Sequence, residues 1–185
     1  MNPRTLLIGL LLCLLPTVAT SQTTQVTERR YTLPDHGHFV LSVPRDWKDQ
    51  VKQPPNRLPP TIMLGPASGT AFQVLITPIW PFKPGAPAQS ADQLRSLVER
   101  AAQQAKSQSV EKELPLHDLR GASGQGYYFS ATDRAPEPGG WKFLTQGTLL
   151  VGELTVTFTV LTNEGQEVVV RQVLEALKTA RQEGV

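Results

Sequence analysis

The stretch Glu-Leu-Thr-Val-Thr-Phe-Thr-Val-Leu, residues 153–161, leaves the chain little choice of architecture. It alternates without a fault, with Leu154, Val156, Phe158 and Val160 on one face of an extended strand and threonines on the other. A second extended run, residues 141–151, precedes it, and only Gly152-Glu153 separate the two. A two-residue connection with glycine at its first central position is a β-hairpin turn, so the two strands are antiparallel. An antiparallel sheet with one apolar face then has to be covered by other elements.

The rest of the chain supplies more strands and the cover. Residues 28–33 and 38–43 read as a hairpin around Pro34-Asp35-His36-Gly37. There proline presets φ, aspartate can bond the backbone ahead of it, and glycine accepts positive φ. In the second strand Phe39, Leu41 and Val43 share a face, and Pro44, with no N–H to give a ladder, ends it. Further strands are expected at 61–65, 71–78, 110–116 and 126–132. Ser90 and Gln93 have the capping-box spacing, and Leu94, Leu97, Val98, Ala101, Ala102 and Ala105 behind them form one helical stripe. A second helix is expected over 164–182, capped by Asn163, stopped by Gly184, and buried along Val170, Val173, Leu174 and Leu177. Hairpins dominate and no βαβ repeat occurs. The predicted class is α+β, an antiparallel β-sheet flanked by helices.

The amino terminus carries the marks of an export signal. A basic Met-Asn-Pro-Arg precedes an apolar run interrupted by Pro16, and small residues follow, placing cleavage after Ala19 or Ser21. The reading divides the chain into a signal peptide (1–21), a flexible polar leader (22–29) and a single domain (30–183). That domain carries a proline-rich excursion at 78–89. No stable membrane span is left after cleavage. Cys13 lies inside the apolar run and is the chain's one cysteine, so the mature protein has no disulfide, thiolate metal site or cysteine nucleophile. An exported domain of this size without cysteines points to a bacterial periplasm or secretion from a bacterium. Lys and Arg number 18 against 16 Asp and Glu, and Arg4 leaves with the signal. There is no basic stripe and hence no expectation of nucleic acid.

The stretch Phe39 to Lys48, FVLSVPRDWK, resembles the signature of the PsbP-like superfamily, a strand running into Pro-x-x-Trp. Phe39, Pro44 and Trp47 stand where that pattern puts them. The resemblance runs over roughly residues 30–182, through the Ser90 helix, the GYYFSAT strand, the long hairpin and the final helix. It implies an α/β/α sandwich in which the tryptophan plugs the end of the sheet. It also implies a role in binding or assembly, since catalysis is not that family's habit.

Among residues with chemistry to offer, Trp80 and Phe82 stand out, because aromatics on a proline-rich excursion suit an anchor for a protein partner in the envelope or outside the cell. His36 and His38, two apart on an extended chain, offer the alternative of a metal or small-ligand module, with Asp35 or His117 to complete it. Ser123 in Gly-Ala-Ser-Gly-Gln-Gly resembles a nucleophile elbow but precedes a strand where the elbow needs a helix, which disfavours a hydrolase. The acids, among them Asp49, Glu111, Glu113 and Asp118, lie scattered in polar surroundings and read as solvated surface. No cofactor is implied. The expectation is an exported, non-enzymatic contact protein.

Overall fold

A computed structural model of the chain describes residues 25–81 and 86–184. The expected signal peptide and Phe82 lie outside them. The elements are β1 (Val26–Thr32), β2 (His38–Pro44), β3 (Lys48–Lys52), β4 (Thr61–Gly65), β5 (Phe72–Ile79), α1 (Ala91–Lys106), β6 (His117–Arg120), β7 (Gln125–Thr132), β8 (Phe143–Val151), β9 (Leu154–Thr162), α2 (Glu167–Lys178) and β10 (Arg181–Glu183).

All strand pairings are antiparallel, but they form two sheets where one was expected. Seven strands run in the order β3-β4-β5-β9-β8-β7-β6, and a smaller sheet runs β1-β2-β10. The alternating hairpin is the centre of the large sheet: β8 and β9 pair from Phe143–Thr162 to Val151–Leu154, around Gly152 at φ +60°. Leu154, Val156, Phe158 and Val160 are buried, as their alternation requires. Their face packs on Phe39, Leu41 and Val43 of the small sheet and on Val169, Val173, Ala176 and Leu177 of α2, which makes the main core. The opposite face is covered over β7 by α1, whose Leu94, Val98 and Ala102 bury Tyr127, Phe129 and Ala131. The sheet is thus sandwiched, by α1 on one side and by α2 with the small sheet on the other.

α1 begins as read, with the Ser90 and Gln93 capping box closed in both directions. α2 is shorter than 164–182. Asn163 does not cap it; its Oδ1 accepts from the Lys142 backbone N–H (3.0 Å), which ties the β7–β8 loop to the end of β9. Gly165 then takes φ +78°, and the helix starts at Glu167 without a side-chain cap. At the other end the chain leaves the helix at Thr179, and residues 181–183 become β10, pairing with β2 from Val40 to His38. Cross-strand charges favour this ending, because Arg181 pairs with Glu28 (2.7 Å) and Arg30 with Glu183.

Other boundaries move for local reasons. The leader is not wholly flexible: β1 starts at Val26 and pairs with β2 along its whole length, opposite Pro44 at one end and His38 at the other. β3 was not foreseen, because Lys-Asp-Gln-Val-Lys is exposed throughout and has no apolar alternation. Residues 110–116 are not a strand; only a bridge between Ser109 and Asp133 remains, and the strand begins at His117. Pro78 stays inside β5, opposite Val156, so the proline-rich excursion starts later than residue 78. β4 pairs with β5 only as far as Ile76, so at Pro78 a missing N–H costs no ladder bond on that side.

Candidate functional site

Pro44 and Trp47 build the end of the β2 strand as the motif implies. The Trp47 amide donates to the Pro44 carbonyl (3.2 Å), closing a tight turn. The indole is buried and lies against Phe72, ring centroids 4.7 Å apart. From β1, Arg29 pins the turn by donating to the Trp47 carbonyl and to Asp49 (2.5 Å). Beside them the buried Tyr31 hydroxyl makes no hydrogen bond of ordinary geometry among the described residues, although the Asp49 carboxylate and the Arg29 guanidinium lie close to it. Burial first, and the Asp49 carboxylate after it, push that phenol above its ordinary value of 10.0. Phe39, fully buried, belongs to the same core. These residues form the scaffold.

Trp80, His36 and Asp35, from among the residues singled out for function, meet elsewhere, in a cleft of about 460 Å³ lined also by Arg57, Leu58 and Pro59 among others. Three separate stretches converge there: the β1–β2 turn, the proline-rich β3–β4 loop and the end of β5. The Trp80 indole stacks on the His36 imidazole, centroids 4.5 Å apart and planes 22° apart. Trp80 also packs against the main core and is half-buried, so it is less exposed than a residue on a free excursion would be. Arg57 bridges the cleft to Asp35 (2.5 Å), with both side chains largely in solvent. Among the described residues, those other than glycine with positive φ are Asp35 (64°), Asn56 (61°) and Arg57 (55°), and all three line this cleft. Left-handed backbone is costly for arginine and is held only where the surroundings fix it. Here Gln53 Nε2 bonds the Leu58 carbonyl (2.8 Å) and the Arg57–Asp35 pair closes the loop onto the turn. Neither the αL pair nor the Asp35 contact is written in the sequence, because both depend on where the loop lands.

The two histidines of the turn have different neighbours. His36 lies on Trp80, whereas the His38 Nδ1 sits 3.4 Å from Thr32 Oγ1 on the small sheet. Among the described residues no three His, Cys, Asp or Glu side chains gather as a metal site would require. His117 is far along the chain in β6, with its ring tilted against Tyr128 at a centroid distance of 5.1 Å. Ser123 donates its hydroxyl to the Ala180 carbonyl (3.2 Å) and, with the Ala122 amide on the Lys178 carbonyl (2.8 Å), fixes the β6–β7 turn to the end of α2. It is a turn residue.

One acid is not a solvated surface group. Glu111 accepts from the Ser109 hydroxyl, the Thr132 amide (2.9 Å) and the Thr132 hydroxyl (2.6 Å). A second depression, mainly apolar and about 610 Å³, runs between α2, β6 and the ends of β1 and β2, with Val26, Pro44, Leu119, Tyr128, Val168 and Leu174 on its walls. No described helix is long and apolar enough to cross a membrane.

No protein-family model matches the chain, and no curated protein matches it. Among solved structures it is similar to the solution structure of cyanobacterial PsbP (CyanoP) from Synechocystis sp. PCC 6803, with a TM-score of 0.54 at 8% sequence identity. The match covers 91% of this chain and 99% of that one. Two helices on antiparallel strands, with the tryptophan of Pro-x-x-Trp buried at the sheet end, make this a PsbP-like α+β fold.

Proposed function

We propose that the chain is an exported, non-enzymatic protein of the bacterial envelope that acts by holding another protein, with the Trp80 cleft as its contact site. The observation that carries this reading is the convergence of the Trp80–His36 stack, the Arg57–Asp35 pair and the exposed Leu58 in one concave site. An aromatic anchor beside an arginine and a rim of polar groups is the usual make-up of an interface hot spot. A non-enzymatic role is supported by the chemistry of the other unusual groups. The shifted acids and bases are held in structural ion pairs and hydrogen bonds, and Ser123 faces a carbonyl. The fold itself hosts function without dictating it.

The test is a crosslinked pull-down from envelope extract with the wild type, Trp80→Ala and Arg57→Ala side by side, each checked for a cooperative melt. Capture by the wild type and loss by both folded variants supports the contact reading. If all three capture the same proteins, the cleft is not the contact site. A rise in melting temperature with added copper or zinc that disappears in His36→Ala would instead replace contact by a metal-binding function.

A further inference from the structure

Among the described residues β6 is an edge of the seven-stranded sheet and pairs with β7 alone, in the register His117–Tyr128 to Arg120–Gln125. The hairpin closes on a bond from the Gly121 amide to the Gly124 carbonyl (2.9 Å). Because hydrogen-bonded and non-bonded pairs alternate in an antiparallel ladder, Leu119 is then bonded to Gly126, and the backbone N–H and C=O groups of Asp118 and Arg120 point away from the sheet. Both side chains are exposed, and neither makes a hydrogen bond or ion pair among the described residues. Leu119, between them, is buried in the core.

We propose that β6 pairs with β6 of a second copy of this chain across a two-fold axis through Leu119, joining the two large sheets edge to edge. The outward backbone groups allow self-pairing centred on residue 118, 119 or 120. Centring on Asp118 sets that carboxylate opposite its own copy, and centring on Arg120 does the same with guanidinium groups. Only the axis at Leu119 sets Asp118 opposite Arg120 of the other copy, and it does so twice by symmetry. In that register the outward amides and carbonyls of 118 and 120 form two bonded pairs. The edge that charge would otherwise protect from pairing is therefore self-complementary. The apolar depression opens along the same strand, and the exposed Val26 and Val168 on its walls lie beside the place a second copy takes. This surface is separate from the Trp80 cleft and does not depend on it.

Sedimentation velocity of the purified protein over a range of concentrations tests the pairing. A reversible dimer is expected, weakened by salt. D118R or R120D alone creates two like-charge pairs and should weaken dimerisation about tenfold or more, while D118R/R120D together should restore it. As an independent readout, mixing D118C with R120C under mild oxidation should yield a disulfide-linked heterodimer, and D118C alone should not crosslink to itself. A monomer at every concentration, single reversals that leave the dimer intact, or a double reversal that fails to restore it overturns the proposal. Equal self-crosslinking of D118C would place the axis elsewhere and overturn it too.

Discussion

The Glu111 carboxylate stands beside Thr132 where a neighbouring strand would stand, accepting from that residue's amide at 2.9 Å and its hydroxyl at 2.6 Å. The backbone adds two bonds nearby, from the Val110 amide to the Thr132 carbonyl (2.8 Å) and from the Arg134 amide to the Gln108 carbonyl (2.9 Å). One side chain thus satisfies a strand amide that no neighbouring strand reaches, at the end of β7.

This arrangement gives stability an acid limb. Burial raises the Glu111 pKa, but the bonds from Ser109 and Thr132 outweigh it and hold the group at about 2, below its ordinary 4.5. The folded state releases its proton more readily than the unfolded state. The contribution is therefore complete above the ordinary value and is lost as pH falls toward 2. Glu111→Gln should cost about 1–2 kcal/mol at neutral pH and lose less than the wild type between pH 5 and pH 2.5, as read by urea melts. Parallel losses in the two proteins would contradict the assignment.

Trp47 and Trp80 should separate in a stability measurement. Trp47 is 6% exposed and packed on Phe72, so Trp47→Ala should cost about 3–5 kcal/mol. Trp80 is half-buried over His36, and its loss should cost roughly 1–2 kcal/mol, a few degrees in melting temperature for a domain of this size. Equal costs would mean that Trp80 belongs to the core and is unsuited to recognition.

Removing a group should help at Tyr31. Its buried hydroxyl makes no hydrogen bond of ordinary geometry among the described residues, so Tyr31→Phe relieves a desolvation penalty beside Asp49 while keeping the ring. The variant should match or exceed the wild type by up to about 1 kcal/mol, measured by chemical denaturation. A clear destabilisation would show that the hydroxyl has a bonded partner in solution.

Gly37 is irreplaceable for two reasons at once. It holds φ +71°, and a Cβ there would lie 2.2 Å from the Glu183 carbonyl oxygen. Gly37→Ala must therefore displace β10 from β2 as well as strain the turn, at a cost of about 2 kcal/mol or more. Amide exchange should report faster opening at Val40 and Arg181, which face each other across the β2–β10 ladder, than in the wild type. Unchanged protection at both positions would count against the close approach.

Much of this was legible in the residues. The β8–β9 hairpin, the α1 capping box and the Pro44-x-x-Trp47 turn each rest on a local pattern: side-chain alternation, cap spacing or the missing proline donor. The failures were non-local. β3 carries no apolar period, β10 exists because β2 offers it an edge, and Glu111 substitutes for a strand that its own sequence resembles. At the cleft, Trp80 and His36 stand out by residue type and local context, whereas their stacking and the Arg57–Asp35 pair join stretches far apart in the chain.

The sequence by itself determined the α+β class, the antiparallel hairpins and the buried faces of β2 and β9; on α2 the buried line is Val169, Val173, Ala176 and Leu177, with the expected Val170 and Leu174 only half-buried. These follow from periodicities of two and 3.6 residues and from turn chemistry, which act within a few neighbours. Tertiary structure alone decided that the strands divide into two sheets, that the chain's end returns to β2, and that the loop after β3 closes over the β1–β2 turn. Each of those contacts joins residues far apart in the chain, and its energy depends on backbone groups and charges meeting in space, which no local pattern encodes.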